Sequence, residues 1–146
     1  MTQFTVEPSQ YPEILEKAAD ILESETIGWC KNSYFRGDES LPPVSACALG
    51  AIRLAIVSNV DVAPHEWTLF SLEHAPKWLT DIEFDISEPL RIYMNQNVPL
   101  PEHRVPDGDE GWEGVHDLND LEETTKEQVI EVMKGAAKEW RNSANQ

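Results

Sequence analysis

The chain has 146 residues, enough for one domain with its own core, and 40% are hydrophobic, including five Trp, three Tyr and four Phe, which excludes a disordered chain. Twenty-seven acidic residues against eleven basic ones give a formal net charge of −16. That balance argues against direct contact with nucleic acid or anionic lipid, both of which require Lys and Arg.

The first helix is predicted over Tyr11–Glu23, with Ser9 as cap and Pro12 in its first turn. Its residues Ile14, Leu15, Ala18, Ile21 and Leu22 form the stripe of a half-buried helix. GWCKNSYFRGDES then breaks the period and reads as a loop with a short extended piece. A second helix is expected after Pro42 and Pro43, capped by Ser45 and ending near Ser58. It is apolar almost all round, as in the most buried helix of a bundle, and Ala46, Ala48, Gly50 and Ala51 would admit close neighbours.

Pro64 opens a third helix through Glu66, Leu69, Phe70 and Leu72, and Pro76 starts a further turn with Trp78 and Leu79. A fourth is expected after Ser87, with Pro89 in its first turn and Asn97 and Pro99 at its end. Residues 98–123 read as a long irregular acidic loop. The last helix begins at a capping box of Thr124 and Glu127 and carries Val129, Ile130, Met133, Ala136, Ala137 and Trp140 on one face. Lys134, Lys138 and Arg141 lie toward its C-terminus, where the macrodipole favours cations. The fold class is mainly α: a single domain over residues 1–146, a compact bundle of four to six helices with the irregular acidic loop before the last.

Three short pieces carry a resemblance. Gly28, Trp29 and Cys30 follow the first helix, Cys47, Ala48, Leu49, Gly50 and Ala51 open the second, and Asn119 and Asp120 precede the last. Together they resemble an uncharacterised family of small proteins from actinobacteria and their phages, in which a Gly-Trp-Cys turn, a Cys-Ala-Leu-Gly-Ala helix start and a Trp-Asn-Asp turn recur. Leu118 departs from that pattern, standing where the family's turn has Trp. The resemblance brings no activity with it, but implies a phage or mobile-element accessory protein.

Cys47 is the most chemically suggestive residue, because a helix N-terminus favours thiolate. As a nucleophile it would need His116 as base and Asn119 or Asp120 as orienting group. Against this, the surrounding helix is apolar, and a buried Cys behaves as a small hydrophobe. Asn119 and Asp120 are also ordinary turn residues. Cys30, Cys47, His103 and His116 lack the paired spacing of a zinc site. A calcium loop from Asp107 would have Trp112 and Leu118 where Gly and Glu belong, which leaves a non-standard set of Asp107, Asp109, Glu110 and Asp117. No metal or cofactor is expected.

Residues 54–125 carry a net −13. The preferred reading is a non-enzymatic protein that binds a basic protein surface through Asp107, Asp109, Glu110, Trp112, Glu113 and Asp117, with Trp112 as anchor unless it tucks back onto the core. The alternatives are a DNA mimic that inhibits a nucleic-acid-binding protein, and a cysteine hydrolase using Cys47 and His116. The first residues lack a secretory pattern, no apolar run approaches a membrane span, and two cysteines make no disulfide framework, so the expected compartment is the cytoplasm.

Overall fold

The computed structural model describes residues 8–24, 28–31, 35–36, 45–58, 77–98, 112, 114–121 and 123–144. Helix α1 spans Tyr11–Glu23, as the periodicity requires, and buries Ile14, Leu15, Ala18, Ala19 and Leu22. Ser9 does not cap it. A 3₁₀ turn over Pro8–Gln10 leads straight in, and Gln10 stands at the cap position without a side-chain bond.

Three two-residue strands follow: β1 (Gly28–Trp29), β2 (Phe35–Arg36) and β3 (Ser45–Ala46). β3 lies in the middle, parallel to β1 and antiparallel to β2, with Trp29 and Phe35 both in register with Ala46. Ser45 therefore belongs to a strand and is not the cap of the second helix. α2 (Ala48–Ser58) starts just after Cys47, and its residues from Ala48 to Ile56 are buried, as expected of the most apolar helix. Arg53 is the exception in kind: it is 3% exposed and ion-paired with the buried Glu83.

α3 (Lys77–Asn97) is one helix of 21 residues in which the turn at Pro76 and the helix after Ser87 are continuous. Pro89 lies inside it, where a proline forfeits one backbone hydrogen bond. The helix persists because its buried row, Leu79, Glu83, Ile86, Leu90 and Met94, runs unbroken past Pro89 and is held by packing. Residues 59–76, which include the helix predicted from Pro64, lie outside the described residues, as do 99–111 and Glu113.

The predicted loop contains a short helix, α4 (Val115–Asn119). α5 (Lys126–Ala144) begins one residue later than the expected capping box requires. Thr125 and Gln128 form the reciprocal box, with the Gln128 amide donating to Thr125 Oγ1 at 3.3 Å and the Thr125 amide to Gln128 Oε1 at 2.8 Å. Thr124 is buried instead. The run Thr-Thr-Lys-Glu-Gln fits the box in two registers, and burial of the first Thr selects the second.

α1 packs against α2 and α5, and α3 against α2 and α5, around one core into which Trp112, Val115 and Leu118 also pack. Lys134 and Arg141 pair with Glu23 at 2.7 Å and Glu16 at 2.6 Å, so these α5 cations serve the α1 interface as well as the helix terminus. Gly135 makes room for Tyr93 of α3, whose hydroxyl would overlap any Cβ there. Among the described residues no helix is long and apolar enough to cross a membrane. The architecture is mainly α.

Candidate functional site

Of the residues singled out for chemistry, Cys30, Cys47, Asn119 and Asp120 meet at one junction. The Cys30 amide donates to Ala46 O at 3.1 Å, continuing the β1–β3 ladder one step beyond Trp29 and Ala46. The next rung is supplied by a side chain. Asn119, with no exposed surface, accepts from the Ala48 amide at 3.0 Å and donates Nδ2 to Cys30 O at 3.1 Å. Its carboxamide thus acts as an inserted peptide unit, and at the same time satisfies an amide at the N-terminus of α2. The same Oδ1 accepts from Trp29 Nε1 at 2.6 Å, and Nδ2 also donates to Asp120 Oδ1 at 3.0 Å. Asn119 is a structural keystone with its hydrogen-bonding capacity committed.

Cys47 stands at the cap position of α2, and its sulfur accepts from the Gly50 amide at 3.4 Å. Burial pushes the thiol up to about 11. Amide hydrogen bonds from Gly50 and Leu49 pull it down, while Cys30 and Asp120 push it further up. Desolvation therefore outweighs the helix terminus, and Cys47 is a protonated cap at neutral pH. His116 is exposed, with its ring over the backbone of Gly114. The Cys47 thiol lacks the environment of an activated nucleophile, His116 lies at the surface, and the Asn119 carboxamide is occupied in holding the fold.

Trp112 is 2% exposed. Its amide donates to Asn95 Oδ1 at 2.6 Å, Asn95 Nδ2 donates to its carbonyl at 3.2 Å, and its indole donates to Val98 O at 2.8 Å. It tucks back onto the core, the alternative to a partner anchor, and pins the chain to the end of α3. Asp107, Asp109, Glu110 and Glu113 lie outside the described residues, as does His103, and Asp117 is half-buried in α4. Among the described residues no group of three or more His, Cys, Asp or Glu could hold a metal ion.

The outer surface was less legible from sequence. Phe84 and Ile92 of α3 are 62% and 45% exposed. Beside Ile92, α3 and α5 enclose a groove of about 200 Å³ lined by Pro89, Ile92, Tyr93, Ala136, Glu139 and Trp140 among others. The ring of Tyr11 meets Trp140 edge-on at 6.0 Å. A helical reading carried through Pro89 places Phe84 and Ile92 away from the buried row, the signal that the proline concealed. The Arg53–Glu83 pair had a signal too, since Arg53 is the single charge within the apolar second helix.

The sequence model of the family of unknown function DUF6197 matches residues 6–139. The chain belongs to this family. No curated protein and no solved structure matches it. In this DUF6197 member the three sequence pieces that carried the resemblance form the Asn119 junction: Trp29 and Cys30 from one, Cys47 and Ala48 from the next, Asn119 and Asp120 from the last. In this chain these residues hold the fold together.

Proposed function

We propose that this DUF6197 member is a non-enzymatic interaction protein that recognises a basic surface on another protein, as an accessory factor of a phage or mobile element acting in the host cytoplasm. The observation that carries the reading is the concentration of acidic charge along the chain. Residues 54–125 hold sixteen of the 27 acidic residues and three basic ones, Lys77, Arg91 and Arg104, a net −13. Among the described residues several bases are engaged in pairs: Arg53 with Glu83, Arg91 with Glu88, Lys134 with Glu23 and Arg141 with Glu16. The acidic excess of that segment includes Asp107, Asp109, Glu110 and Glu113.

Such a surplus attracts a basic protein over roughly a Debye length, about 8 Å at physiological salt, and speeds its encounter. Mimicry of DNA would need a regular row of carboxylates along a rigid body, whereas the acids of residues 54–125 fall partly in a stretch rich in Pro and Gly. Immobilised protein exposed to an actinobacterial lysate at low salt is expected to retain a basic protein that rising salt releases. Retention of no basic protein, or retention indifferent to salt, would overturn the reading.

A further inference from the structure

We propose that the outer face of α3, with the groove it shares with α5, is the docking surface for a cationic amphipathic segment of the partner; this deepens the reading of a basic partner and rests on it. Phe84 and Ile92, the two large apolar side chains exposed among the described residues, both belong to α3 and lie eight residues apart. That spacing is about 12 Å along the axis. Asp81, Asp85 and Glu88 are interleaved on the same side of the helix, so the stripe alternates apolar anchors with carboxylates.

The charge around the groove is one-sided. Of the groove residues named above, Glu139 alone has a charged type of side chain, and it is acidic. The α5 cations Lys134, Lys138 and Arg141 line a different groove, shared with Glu16 and Asp20 of α1. On α3 itself, Lys77 pairs with Asp81 at 2.8 Å and Arg91 with Glu88, both along one helix and both reached by solvent. Such pairs hold weakly, so a partner's Lys or Arg can take the place of either cation. A segment with apolar residues at i and i+7 or i+8 and cations between them matches this face, in the manner of a helix laid along a groove. A second copy does not match it. It would bring together two molecules that each carry a net charge of −16.

The test uses the full chain and three fluorescent peptides of equal length, one Leu/Lys amphipathic, one Leu/Glu and one Ser/Lys, with binding read by anisotropy. The Leu/Lys peptide is expected to bind the parent and to lose about tenfold or more in affinity to the double variant Phe84→Ser, Ile92→Ser and to Glu139→Lys. The Leu/Glu peptide should not bind, and the Ser/Lys peptide only weakly. Both substituted apolar residues are exposed, and a thermal melt confirms that each variant folds. Undiminished Leu/Lys binding to the double variant overturns the docking surface while leaving the basic-partner reading intact. Equal affinity for Ser/Lys and Leu/Lys also overturns it, since charge alone would then suffice. Absence of binding by either cationic peptide overturns both, and a parent that self-associates through this face, a property lost in the double variant, replaces the proposal with a second copy.

Discussion

Asn119 and Cys47 show how one environment redirects two residue types often associated with catalysis. The Asn119 carboxamide replaces a backbone peptide between Cys30 and Ala48, so its removal strands the Ala48 amide, the Trp29 indole and the Cys30 carbonyl around a buried position. Asn119→Ala is expected to cost about 3 kcal/mol in urea unfolding. Asn119→Asp should cost a similar amount at neutral pH, because a carboxylate cannot donate to Cys30 O and would sit beside Asp120. A loss below about 1 kcal/mol for Asn119→Ala would show that the rung is dispensable.

Cys47 leads to a pH prediction. Its thiol rises from an ordinary 9.0 to about 11 in the fold, chiefly through burial. The native state therefore keeps the proton over the interval where the unfolded chain releases it, and stability falls as pH rises from about 9 toward 11. A Cys47→Ala variant should lack this part of the decline, and native Cys47 should alkylate far more slowly at pH 8 than after unfolding. Equal rates in the two states would contradict the buried, protonated cap.

At the scale of elements, packing decided what propensity left open. Pro89 suggested a boundary, yet the apolar row from Leu79 to Met94 continues past it, and burial of that row is worth more than the one hydrogen bond a proline removes. At the start of α5 two neighbouring Thr residues each fitted a capping box, and inward burial of Thr124 left Thr125 to form it. Gly135 is a sharper case of the same competition. Helix propensity alone predicts a gain of about 1 kcal/mol for Gly135→Ala. Crowding against Tyr93, however, carries an overpacking cost of about 1–3 kcal/mol. The net expectation is a loss of about 1 kcal/mol in the parent and a gain of similar size in a Tyr93→Ala background. Equal effects in both backgrounds would show that Tyr93 is not the obstacle.

For the whole molecule the governing quantity is net charge. The α1–α5 ion pairs are exposed and contribute little, whereas −16 on one small body is a repulsion that salt relieves. Raising NaCl from low to physiological concentration should therefore stabilise the protein by about 1 kcal/mol, a rise of about 3 °C in Tm. A fall in Tm would mean that the attractive pairs outweigh the surplus.

The mainly α class, the extent of α1, the centrality of α2 and the buried stripe of α5 were legible in the sequence, because each follows from the spacing of apolar residues along one helix. Membership of an uncharacterised family was legible too, from short local pieces of sequence. What those pieces do was not. Trp29, Cys30, Ala48 and Asn119 are up to 90 residues apart in sequence and form one hydrogen-bonded junction only after α2 and α4 pack. The burial of Trp112, the elevation of Cys47 and the exposure of Phe84 and Ile92 likewise depend on which neighbours the folded chain supplies, since desolvation and hydrogen-bond partnership are properties of an environment and not of a residue.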